Sequence, residues 1–100
     1  MTPLQTLKNI KSLFVKDGFI IDGIFGSYAR GDFTKDSDVD ILYHLEPIFM
    51  KKFGGFIGFK KLNDIKLEIS SILQKDIDLA PINNLSETGK KYILSEVIYV

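Results

Sequence analysis

The segment Gly26 to Asp40, GSYARGDFTKDSDVD, gathers the side chains of this 100-residue chain best suited to act on a substrate. Asp38 and Asp40 stand two residues apart, so on an extended strand both carboxylates leave the same face and can share a cation. Two hard oxygen ligands with open positions suit Mg²⁺, which keeps waters and takes further ligands from substrate phosphates. Upstream, Gly26-Ser27 closes an apolar run and opens a polar one. A backbone without a side chain can approach a ligand closely there, and its N–H groups and the hydroxyl can cradle a phosphate. Arg30 follows one turn later, where its guanidinium can meet phosphate oxygens or pair with a surface acid. Taken singly, Ser27 reads equally well as a helix N-cap. Paired acids this close repel unless a cation or a donor relieves them, which favours the joint reading. A phosphate cradle followed by a magnesium pair implies a nucleoside triphosphate.

These groups need strands to hold them. Residues 19–25 form a nearly continuous apolar run of strand length, ending in Gly26-Ser27. Residues 27–37 are polar and predict a short helical turn and then a loop. Residues 38–45 alternate, with Val39, Ile41 and Tyr43 on one face and Asp38, Asp40, Leu42 and His44 on the other. Pro47 ends that strand, and residues 48–55 fit neither a helix nor a loop cleanly because Gly54-Gly55 interrupts them. Ahead of all this, residues 2–16 predict one amphipathic helix, capped by Thr2 with Gln5 at capping-box spacing and Pro3 in its first turn. Phe59, Leu62, Ile65, Ile69, Ile72 and Leu73 predict a long helix over 56–74. A third strand over 77–82, a turn at Asn83-Asn84, a helix capped by Ser86 to about Ser95 and a terminal edge strand over 97–100 complete the chain. The class is α+β: a small mixed sheet covered by helices, in one domain spanning residues 1–100.

Composition sets the bounds. Thirteen basic and thirteen acidic residues cancel, leaving no field to hold duplex DNA, and the absence of cysteine excludes disulfides, thiolate zinc sites and a cysteine nucleophile. No apolar run reaches the ~18 residues of a membrane span, so a cytoplasmic protein is expected. The lone His44, near the far end of its strand, is expected to be structural. Phe49, Phe53, Phe56 and Phe59 recur at helical spacing and are expected in the core. If exposed together, they would form a protein-contact patch. Lys51-Lys52, Lys60-Lys61 and Lys90-Lys91 read as solvated faces.

Gly26-Ser27, ten intervening residues, then Asp38-Val39-Asp40 resembles the signature of the DNA polymerase β-type nucleotidyltransferases. The fuller form, Gly26-Ser27-Tyr28-Ala29-Arg30-Gly31 through Ser37-Asp38-Val39-Asp40-Ile41, is similar to that of their smallest members, the minimal nucleotidyltransferases encoded beside HEPN-domain proteins. The resemblance implies a third carboxylate on the next strand, Asp78, with Asp76 ranked behind it. It also implies two Mg²⁺ ions held by Asp38, Asp40 and Asp78, and ATP as the donor bound through Gly26, Ser27 and Arg30. The implied acceptor is a hydroxyl on a HEPN-family ribonuclease toxin, silenced by adenylylation. Two other readings stay open: a docking module that neutralises its partner by binding alone, and one subunit of an oligomeric small-molecule nucleotidyltransferase.

Overall fold

The computed structural model describes residues 1–100. The first helix starts as its sequence demands: Gln5 N–H donates to Thr2 Oγ1 at 3.2 Å and Thr2 N–H donates to Gln5 Oε1 at 3.0 Å. The single helix expected over 2–16 is instead two, α1 (Pro3–Ile10) and α2 (Ser12–Val15). At Lys11 the ladder tightens to a three-residue step, with Phe14 N–H donating to Lys11 O at 3.3 Å. The chain continues through β1 (Phe19–Phe25), α3 (Ser27–Arg30), β2 (Val39–Leu45), α4 (Pro47–Lys52), α5 (Phe56–Leu73), β3 (Ile77–Pro81), a 3₁₀ turn (Ile82–Asn84), α6 (Glu87–Glu96) and β4 (Ile98–Tyr99). Pro47 therefore opens a helix as well as ending a strand, and Gly54-Gly55 is the link that separates that helix from α5. The third strand stops at Pro81, one residue short of the expected end, because Ile82 enters the 3₁₀ turn.

The four strands form one mixed sheet in the order β3-β2-β1-β4. β2 runs parallel to β3, whereas β1 is antiparallel to both β2 and β4. Strand alternation then divides the sheet's chemistry. Val39, Ile41, Tyr43 and Ile77 are buried in one apolar cluster with Leu7, Phe14, Phe49, Ile65 and Ile69 from the helices on that side. Asp40 and Asp78 leave the opposite face. Phe19 stacks on Tyr43 at 4.7 Å between ring centroids, locking the two central strands together across the core.

One irregularity was not legible in the sequence. Ile21 pairs with Tyr43 but Gly23 pairs with Leu42, so Asp22 is an extra residue, a β-bulge. The bulge returns Ile24 to the core side and leaves Asp22 near His44, whose Nδ1 lies 2.8 Å from Asp22 Oδ2. Gly23, beside the bulge, has a structural reason to be glycine. A Cβ there would meet Ile98 O and the Val97 side chain, so β4 could not pair with β1.

Two expectations are corrected. Phe49 is buried and Phe53 half-buried, but Phe56 and Phe59 are 92% and 73% exposed, so the Phe series is core only in its first half. The break at Gly54-Gly55 turns α5 so that Ile65 and Ile69, rather than Phe56 and Phe59, face the sheet. Nor are the lysine pairs uniformly solvated. Lys52 and Lys61 converge on Asp17 at 3.2 and 3.3 Å, pinning α4 and α5 to the end of α2. Burial opposes the ionisation of Asp17, but its hydrogen bonds to the two ammonium groups outweigh that and hold its carboxyl below the ordinary value.

Phe49→Ala should cost about 3–5 kcal/mol in chemical denaturation, whereas Phe56→Ser should stay within about 0.5 kcal/mol of the parent. The His44 pair has a pH signature. Its hydrogen bond to Asp22 raises the imidazole pKa above the ordinary 6.5, against a smaller opposing effect of burial. A raised folded-state pKa stabilises fully below about pH 6.5 and is lost as pH climbs through the raised value. The stability deficit of His44→Gln in chemical denaturation should therefore be larger at about pH 5.5 than at about pH 8.5, and no more than about 1 kcal/mol because the pair is partly exposed.

Candidate active site

The carboxyl ends of β1 and α6 and the amino ends of β2 and β3 meet around an open cavity of about 490 Å³. Gly26, Ser27, Arg30, Asp38, Asp40 and Asp78 all line it. The structure thus brings together every residue that the sequence singled out for chemistry. A larger cavity of about 570 Å³ beside Tyr28 and Phe33 carries no carboxylate, so the chemistry belongs to the smaller one.

Each group is placed by its local backbone. Asp40 and Asp78 are register partners across the parallel β2–β3 pair, so both side chains leave the sheet at the same level on the same face. Asp76 shares that parity but is exposed and does not line the cavity. Its carbonyl accepts from Val39 N–H at 3.0 Å, which starts the parallel pairing. Asp38 immediately precedes β2, at the end of a loop stiffened from within. Thr34 N–H donates to Ser37 Oγ at 2.9 Å, and Phe33 stacks on Tyr28 at 4.2 Å. Gly26 has φ +73°, and a Cβ on it would run into Asp40 Oδ2, so the turn is open only to glycine.

The electrostatics are unbalanced. Burial, and then the neighbouring charges of Asp78 and Asp38, push the Asp40 carboxyl above its ordinary value, with Arg30 opposing. No three acidic or histidine side chains converge into a closed cage. An open, acid-lined cleft without a closed cage is the kind of donor set that would suit Mg²⁺, which binds through one or two carboxylates plus substrate phosphates.

Arg30 is both a cavity residue and an ion-pair partner. Its Nε donates to Asp32 Oδ2 at 3.2 Å and its Nη1 to Glu96 Oε2 at 3.1 Å. Glu96 is the site residue that sequence reasoning missed. No motif surrounds it, and it lies far along the chain from Gly26. The only available signal was the terminal edge strand: β4 pairs Ile98 with Ile24, so two residues before Ile98 falls opposite two residues after Ile24, which is Gly26.

Comparison with known proteins gives the family and the fold. A family model described as a nucleotidyltransferase domain matches residues 6–100. The protein adenylyltransferase MntA of Thermococcus cleftensis is 35% identical over 78 residues, covering 78% of this chain and 71% of that protein. A solved minimal nucleotidyltransferase superposes with a TM-score of 0.68 at 27% identity, covering 97% of this chain and 95% of the other. A Shewanella oneidensis complex of a tri-AMPylated HEPN toxin with its MNT antitoxin shares the fold, with a TM-score of 0.61 at 17% identity over 98% of this chain and 71% of that one.

Asp40→Asn removes the central charge of a repelling trio. In the presence of a chelator at neutral pH it should raise the Tm by about 2–5 °C in calorimetry. A lowered Tm would mean that the charge is compensated in the folded protein.

Proposed function

The chain belongs to the nucleotidyltransferase domain family, and from that premise we propose that it is a Mg²⁺-dependent protein adenylyltransferase that moves AMP from ATP to a hydroxyl of a partner protein. The partner we propose is a HEPN-domain toxin, which adenylylation silences. In this reading residues 1–100 act as one domain, and the acceptor arrives on another protein.

The observation that carries the reading is the level pairing of Asp40 with Asp78 beside Asp38, facing Gly26-Ser27 across one cavity. Asp38 and Asp40 are the residues to hold a metal bound to the triphosphate, and Asp78 completes a second position. The ions supply positive charge where negative charge accumulates on the attacking and leaving oxygens. The chain's own groups do the rest. Ser27 and the turn hold the phosphates, and Arg30 offsets their charge. Asp78 accepts the proton of the attacking hydroxyl as that oxygen bonds to the α-phosphorus and pyrophosphate departs. Positioning and charge are nearly all that such a transfer asks of a protein, so so small a fold is sufficient. The AMP donor and the protein acceptor are supported by the activity that names the Thermococcus relative. The toxin partner is supported by the likeness to the Shewanella complex, which is a likeness of fold.

The test is transfer from α-phosphate-labelled ATP with Mg²⁺ into lysate of the native host. A labelled protein band should appear with the parent chain and fall by about 100-fold or more with Asp38→Asn/Asp40→Asn and with Asp78→Asn. Equal labelling by parent and variants overturns the catalytic reading in favour of docking alone. Label confined to small molecules overturns the protein acceptor.

A further inference from the structure

The Gly-Ser turn and Arg30 are already occupied by an acid. Glu96, the last residue of α6, has a side chain only 24% exposed. Its Oε1 accepts from Gly26 N–H at 2.9 Å and from Arg30 Nη1 at 3.2 Å, and its Oε2 accepts from the same Nη1 at 3.1 Å. Asp32 takes Nε of the same guanidinium, so Arg30 is held at two of its three nitrogens, and Nη2 has no protein partner.

This placement is built into the fold. The β4–β1 register sets Glu96 opposite Gly26, and Gly23 gives β4 the room to lie there. Val97 N–H donates to Ile93 O at 3.0 Å and Val100 N–H to Asp22 O at 3.0 Å, fastening the segment on both sides of Glu96. A fourth acid beside Asp38, Asp40 and Asp78 adds to the repulsion in the cavity and lies close to where a polyanion must bind. Its compensation is the geometry it imposes. A turn with a positive φ and a long, flexible arginine are both fixed by one carboxylate, and ordering them in advance removes that cost from nucleotide binding.

We propose that Glu96 is a positioning residue for the donor nucleotide: it holds the Gly26 turn and the Arg30 guanidinium in the arrangement that receives the triphosphate. α6 and β4 thereby become part of the donor site rather than a cap on the sheet edge. The proposal rests on the nucleotidyltransferase reading above.

The experiment measures affinity for Mg²⁺ with a non-hydrolysable ATP analogue by calorimetry, alongside KM and kcat for transfer. Glu96→Ala should weaken affinity and raise the KM for ATP by about tenfold, the scale of one charge-assisted hydrogen bond, while kcat changes less. Glu96→Gln, whose Oε1 can still accept from both donors, should recover most of that loss. Glu96→Ala should cost less on an Arg30→Ala background than in the parent, because the contact between the two is already gone and only the Gly26 hydrogen bond remains to be lost. Unchanged or tighter binding by Glu96→Ala would overturn the proposal, the latter by making Glu96 an obstruction. Full additivity with Arg30→Ala would also overturn it, as would a lowered Tm with intact affinity. Should Glu96→Ala not fold, Glu96→Gln and Glu96→Asp decide: Asp is too short to span both donors, so Gln must bind better than Asp. If the parent chain itself binds no nucleotide while folded, the reading beneath the proposal fails, and that result is distinct from a defect confined to Glu96 variants.

Discussion

Repulsion among carboxylates is the constraint around which this fold is arranged. Asp38, Asp40 and Asp78 face one cavity, and burial raises the energy of keeping the middle one ionised. Such an arrangement persists only if the backbone that carries it is held by something stronger. Here that is the apolar cluster on the reverse of the sheet, where Val39, Ile41 and Ile77 alternate with the acids and anchor the same two strands. The residues that gain free energy by burial and those that lose it by crowding occupy neighbouring positions on one strand. Neither set can shift register without dragging the other to the wrong face.

The sheet's mixed topology follows from the same need. A parallel β2–β3 pair requires a long crossover, and α4 with α5 supplies one that also roofs the core through Phe49, Ile65 and Ile69. The parallel register puts Asp78 level with Asp40. A tight hairpin between these strands would have made them antiparallel, with no such helical roof. Asp17, paired with Lys52 at the end of α4 and with Lys61 in α5, ties this crossover to the segment just before β1.

Much of the site was legible because it is local. Gly26-Ser27 and Asp38-x-Asp40 lie within one short stretch, and parity predicted the two aspartates on one side, although β2 begins at Val39 and Asp38 reaches the cavity from the end of the loop. Asp78 was legible only through the family resemblance, which implies a carboxylate between apolar residues on the next strand, and the structure separates it from Asp76 by register rather than by composition. What stayed hidden was non-local or depended on a break in period. The bulge at Asp22 has no sequence mark, yet it decides which residues of β1 enter the core and gives His44 its partner. Helical spacing could not show that Phe56 and Phe59 turn outward, because the Phe series runs across the break at Gly54-Gly55, after which the buried side of α5 is the one carrying Gly58, Ile65 and Ile69. Glu96 depended on the register of a two-residue strand, which can be read only once the strand order is known.

That two-residue strand gives the site an uneven fastening. Asp40 and Asp78 sit on strands joined by five register pairs, whereas the segment carrying Glu96 is joined to β1 by two, with the Val100 N–H to Asp22 O bond beyond them. Local opening of that short edge would release Gly26 N–H and Arg30 from their shared acceptor while leaving the paired aspartates in place.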